Sequence, residues 1–114
     1  MKLIAIVHKN FSENRNKVYY CIDLGYRPPL FSFRKSPPRT IYDDFLYPAV
    51  CRYIVAIRKM GYEYLGSFDT CFDHPEILKE LNMDSSDDLE GLVEGLKKQG
   101  FKVLYAEDGE LREL

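Results

Sequence analysis

The chain has 114 residues, 46% of them hydrophobic and 14% aromatic, the latter carried by nine Tyr and seven Phe with no Trp. That length suits one undivided core spanning residues 1–114, and the apolar content is too high for an intrinsically disordered segment. Sixteen Lys and Arg against eighteen Asp and Glu leave a net charge of −2, which excludes a strongly basic nucleic-acid coat and a polyanionic tail, so any charge-based function must be local.

In chain order, Lys2 to His8 is apolar on both alternating faces and reads as a central strand covered on two sides. Asn10 to Asn16 is a polar turn. Lys17 to Asp23 alternates, with Val18, Tyr20 and Ile22 on one face and Tyr19 and Cys21 on the other, which predicts a second strand paired with the first as a hairpin. Gly25, Pro28 and Pro29 break the chain, Leu30 to Arg34 is short enough to be an optional strand, and Lys35 to Arg39 is a stiff basic loop.

Thr40 with Asp43 resembles a capping box and starts a helical region, which Pro48 interrupts. From Pro48 to Met60, the residues Val50, Tyr53, Ile54 and Ile57 form an apolar stripe, Arg58 and Lys59 sit in the last turn, and Gly61 is the expected left-handed stop. Tyr62 to Phe68 is the next strand, ended by Asp69. A short helix from Pro75 to Leu81 follows. Ser85 or Ser86 is the expected cap of a second main helix, with Leu89, Leu92, Val93 and Leu96 facing inward, Lys97 and Lys98 in its last turn and Gly100 closing it. Phe101 to Ala106 is the last strand, and Glu107 to Leu114 an exposed tail. The segments Ile57–Asp69 and Leu96–Asp108 share a basic pair, a glycine, an aromatic, a leucine and a terminal Asp, so one helix–Gly–strand unit is used twice.

These elements define an α/β (or α+β) domain: a single mixed β-sheet of four to five strands with two main helices, in the order β-β-(β)-α-β-α-β. The order resembles the ribonuclease H-like arrangement, a strand meander followed by alternating helices and strands. Enzymes of that arrangement carry an Asp in the first strand, whereas Leu3 to Val7 has none and His8 follows.

If Leu30 to Arg34 is a strand, strands one, three, four and five run the same way and their carboxyl ends meet on one edge, the place where open α/β sheets bind ligands. That edge would gather His8, Lys9, Arg34, Lys35, Arg39, Asp69, Cys71, Asp73, His74, Glu107 and Asp108, with the helix N-termini at Thr40 and Ser85–Ser86; Asp23 would lie at the opposite edge. Asp69 and Asp108 are the candidate pair for a divalent metal, no other cofactor being indicated. Cys21 and Cys51 read as packing residues, and only Cys71, near His74, has the surroundings of a nucleophile. Three cysteines without a CxxC pair point to reduced thiols and a cytoplasmic protein, and no stretch reaches the roughly 18 apolar residues of a membrane span.

The most informative segment is Tyr26 to Arg39, in which four cations alternate with three aromatics and four prolines. A stiff cationic strap of this kind suits a phosphate backbone or an acidic protein surface. The expectation is therefore a small binding or regulatory module that engages an anionic partner, nucleic acid ahead of acidic protein, through Arg27, Arg34, Lys35 and Arg39. The alternatives are a metal-dependent hydrolase or nuclease, with Asp69 and Asp108 on the ion and His8 or His74 moving protons, and a protein-only inhibitor or adaptor, a homodimer through exposed tyrosines being one form of it. Whether the protein is an enzyme is left open by the sequence.

Overall fold

A computed structural model describes residues 2–12, 17–27, 53–70, 78–79 and 88–114. Strands β1 (Lys2–Ser12), β2 (Lys17–Arg27), β3 (Glu63–Asp69), β4 (Phe101–Glu107) and β5 (Glu110–Glu113) form one mixed sheet in the spatial order β3-β2-β1-β4-β5. Helices α1 (Ile54–Lys59) and α2 (Leu89–Lys98) complete the described elements. The sheet pairs antiparallel between β1 and β2, β2 and β3, and β4 and β5, and parallel between β1 and β4.

The apolar continuity of β1 has a direct cause. Ala5 and Val7 belong to the core formed with Leu92 and Leu96 of α2, while Ile4 and Ile6 belong to the core formed with Ile57 of α1. The two helices therefore lie on opposite faces of the sheet, and Ile4 to Val7 are all 0% exposed. Phe68, Val103 and Tyr105 join the α2 side, and Leu104 and Ala106 the α1 side.

Both helices end the same way. Gly61 and Gly100 take positive φ, 86° and 93°, and their N–H groups bond back to the carbonyls of Arg58 (3.0 Å) and Lys97 (3.0 Å). At α1 the Tyr62 N–H also reaches the Ile57 carbonyl at 3.1 Å, which completes a Schellman motif. The repeated helix–Gly–strand unit is thus one backbone solution used on the two faces of the sheet.

Four expectations need correction. The hairpin ladder runs on to Ser12 opposite Lys17, so the polar turn is shorter than Asn10 to Asn16, because cross-strand pairing continues past the last buried residue. β2 continues to Arg27 rather than stopping at Asp23, since Leu24 and Tyr26 keep the inward alternation and Gly25 stays in register with both neighbours, the shift against β3 being taken up by Leu65 as the extra residue. The cap of α2 is Asp88, whose side chain accepts from Gly91 N–H at 3.0 Å, and not Ser85 or Ser86; a carboxylate there also meets the positive helix end. Residues 107–114 are not a tail. Glu107 completes β4, Asp108 (φ 53°) and Gly109 (φ 80°) make a two-residue turn, and β5 returns along β4, which adds a strand to the expected order.

The optional strand Leu30–Arg34, the capping box at Thr40, Pro48 and Cys51 lie outside the described residues. Of the helix from Pro75 to Leu81 only Leu78 and Lys79 are described, and both are helical. Among the described residues, no helix is long and apolar enough to cross a membrane.

Gly25 is a point of close approach between α1 and the sheet. A Cβ built there would stand 2.7 Å from Ile57 Cγ2, 2.8 Å from Ile4 Cγ2 and 3.2 Å from Tyr62 Cβ. Gly25→Ala should therefore overpack this layer and lower the unfolding free energy by about 1–3 kcal/mol, read as a lower urea midpoint with an unchanged m value. An unaltered midpoint would show that α1 can move away from the sheet at little cost.

Candidate functional site

Strands β1, β3 and β4 run in the same direction, so their carboxyl ends share one edge as expected. A single row of cross-strand partners crosses it: Asp69 on β3, Cys21 on β2, His8 on β1, Ala106 on β4 and Leu111 on β5. His8 is buried and its ring lies 5.0 Å from that of Tyr53, tilted by 46°. Asn10 Nδ2 donates to Cys21 Sγ at 2.7 Å, and the Cys21 thiol donates to Asp69 Oδ1 at 2.5 Å.

Those neighbours decide the chemistry of Cys21. Burial pushes its pKa strongly up, and the Asp69 carboxylate, by accepting the thiol proton and by its charge, pushes the same way. The Asn10 amide pulls slightly in the opposite direction, and Asp23 adds a further upward push. A thiolate is what a nucleophile or metal ligand requires, so the packing role expected for Cys21 agrees with its surroundings.

Asp69 and Asp108 are not brought together. Asp69 ends β3 and Asp108 follows β4, with β2 and β1 between those strands, so at the usual interstrand spacing they stand at least roughly 14 Å apart. One ion with oxygen ligands at about 2.0–2.6 Å cannot span that gap. The pairing fails because β1 and β2 fill the centre of the sheet and push the last two parallel strands to either side of them. Among the described residues, no group of three or more His, Cys, Asp and Glu side chains is placed to hold a metal ion. Asp23 also differs from expectation: it pairs with Ile6 and Ser67 in mid-sheet and is 2% exposed, because β2 runs on to Arg27. Cys71, Asp73 and His74 lie outside the described residues.

At the opposite edge, where β1 and β4 begin, the structure gathers cations. Lys2 stands directly across from Arg27, and Lys102 is in register with Ile4. Even-numbered residues of β1 and β4 point to the α1 side, as Ile4, Ile6, Leu104 and Ala106 show, so Lys2 and Lys102 share that side. Together with Arg27, Met60, Tyr62 and Gly100 they line a cleft of about 530 Å³, and no acidic residue is among its described lining. Arg58 and Lys59 in the last turn of α1, and Lys97 and Lys98 in that of α2, add positive charge at the same end of the helices.

Arg27 has a structural task here. Its Nη2 donates to the Met60 carbonyl and its Nε to the Gly61 carbonyl at 3.4 Å, while the guanidinium lies 4.6 Å from the centre of the Tyr62 ring. It thus covers the negative end of α1, whose bare carbonyls would repel an anion. A guanidinium has more N–H groups than these two bonds use, so donors are left for a ligand. Of the four expected anion-binding residues, Arg27 lies at this cleft rather than with the carboxyl-edge groups, and Arg34, Lys35 and Arg39 lie outside the described residues. Lys2 and Lys102 were not among the sequence candidates; their signal was the shared even-numbered alternation of the two apolar strands.

The Cys21 environment yields a testable reactivity. At about pH 8–9, where an ordinary thiol is substantially ionised, Cys21 of the folded protein should be alkylated far more slowly than in denaturant, with peptide mapping to separate it from Cys51 and Cys71. Asp69→Asn should speed its labelling. The folded state keeps the proton that the unfolded chain loses, so this group costs stability as pH rises through and above the ordinary thiol range. Equal labelling rates in folded and unfolded protein would contradict the assignment.

Function must be read from this geometry: the chain matches no family model, and no curated protein or solved structure matches it significantly.

Proposed function

We propose that the protein is a non-catalytic binding module that engages an anionic partner, nucleic acid ahead of an acidic protein surface, at the amino edge of its sheet. The observation that carries this reading is the convergence of Lys2, Arg27 and Lys102 from three adjacent strands on one cleft whose described lining holds no acidic residue. Like charges placed together repel, and a counter-anion relieves that cost. Tyr62 and Met60 give the cleft an apolar wall beside the charges, which suits a ligand carrying both phosphate and a flat or apolar group.

Arg27, the first cation of the strap expected from the sequence, lines this cleft. A cytoplasmic setting goes with this reading, as the free, proton-retaining thiol of Cys21 does not need an oxidising compartment.

The test is binding to a fluorescent single-stranded oligonucleotide, followed by anisotropy between about 50 mM and 200 mM salt. Affinity should fall steeply with salt, and the Lys2→Ala/Lys102→Ala double variant should weaken binding and reduce the log–log salt slope by about 2, one for each phosphate contact removed. An acidic peptide that binds while the oligonucleotide does not would shift the reading to a protein partner. Absence of binding to both, or binding indifferent to the two lysines, would reject it.

A further inference from the structure

β5 is an edge strand, and among the described residues nothing pairs with its outer side. Every residue of Glu110–Glu113 is exposed, and Leu111, at 39%, is one of two large hydrophobic residues exposed among those described. Edge strands of this kind template further pairing unless something blunts them.

The ladder fixes which groups face outward. Leu114 N–H bonds to the Val103 carbonyl at 3.0 Å, and hydrogen-bonded pairs recur at every second position of an antiparallel ladder. With the register Tyr105 to Arg112 and Glu107 to Glu110, the inward-bonded residues of β5 are therefore Glu110 and Arg112. Leu111 and Glu113 direct their backbone N–H and C=O away from β4.

We infer that β5 is a self-pairing edge, joining two copies of the chain antiparallel about a two-fold axis at Leu111 to give a continuous ten-stranded sheet. The inference is independent of what the cationic cleft binds. Outward groups must meet outward groups, which leaves few registers. Centring the axis on Arg112 sets Arg112 against its own copy, and centring it on Glu113 sets Glu113 against its own copy; both oppose like charges. Centring it on Leu111 lets the two Leu111 residues exchange backbone hydrogen bonds and stack their side chains. It also sets each Glu110 opposite an Arg112 of the other copy, twice by symmetry.

The charge balance within one chain favours the same register. Glu110 stands directly opposite Glu107, and among the described residues the one guanidinium paired with them, that of Arg112, lies 3.4 Å from Glu107 and packs over the Tyr105 ring at 5.3 Å. Two facing carboxylates thus share one cation, and a second copy supplies another on the far side of Glu110. The seam is only four residues long, so the association is weak and concentration-dependent, as for interfaces well below about 1,000 Å².

Sedimentation velocity over a hundredfold range of concentration, up to about 1 mM, is the experiment. The wild-type chain should move from monomer toward dimer, and the Leu111 amide should gain protection from hydrogen exchange as it does so. Arg112→Glu should weaken association by at least about tenfold, because two attractions become two repulsions. The charge-swapped Glu110→Arg/Arg112→Glu variant should restore it, since the swapped pairs again oppose unlike charges and Arg at position 110 faces Glu107. Both substituted residues are exposed, and circular dichroism will confirm that the variants keep the fold. A wild type that stays monomeric, an Arg112→Glu variant that associates as before, or a folded charge swap that fails to recover would each overturn the proposal.

Discussion

Strand β1 gives up contact with water on both faces at once, and the rest of the molecule is arranged to make that favourable. A residue such as Ile4 or Ile6 gains roughly 1.5–3 kcal/mol when its side chain is fully buried, but a strand has two sides and both must be covered. α1 supplies Ile57 on one side, and α2 supplies Leu92 and Leu96 on the other. The backbone of β1 is then held by β2 and β4, so that none of its buried polar groups is left without a ladder partner. The crossover from β3 through α2 to β4 follows, since the chain must pass over β2 and β1 to reach the open side of the first strand.

This arrangement gathers cations at one end of the strands. Helices that end where strands begin bring their last turns, with Arg58, Lys59, Lys97 and Lys98, to the edge that carries Lys2, Arg27 and Lys102. The opposite edge holds Asp69, Asp88, Glu90, Glu107 and Asp108 along with Lys9 and Arg112. Part of this polarity simply complements the helix dipoles. Lys2, Arg27 and Lys102 are not explained that way, because they come from strands.

Much of this architecture was legible in the residues. The double-faced apolar run of Lys2 to His8 marked the central strand, the stripe ending in Ile57 marked α1, and Gly61 and Gly100 marked both helix stops, because each of these signals reflects a local preference that burial reinforces. The fate of the two aspartates was not legible. Their common position after a strand is written in the sequence, whereas the number of strands between them depends on a parallel pairing of β1 with β4 that no short pattern encodes. β5 was missed for a different reason. Its residues are all exposed and carry no inward pattern, although Asp108–Gly109, a dipeptide that favours paired positive φ angles, was a usable turn signal. The amino-edge cleft was hidden because Lys2 and Lys102 look like ordinary strand-end lysines until the register sets them beside Arg27.

Gly25 carries one more consequence. With methyl groups of Ile57 and Ile4 already occupying the room a side chain would need, the clearance between α1 and the sheet is set by a hydrogen atom. The helix rests against bare backbone, as close as two such layers can come, and it is this near-contact that holds the carbonyl end of α1 within reach of the guanidinium of Arg27. A spacer of even a single carbon would lift the helix off its seat and widen the cationic mouth beside it, so one glycine of β2 governs the width of that opening.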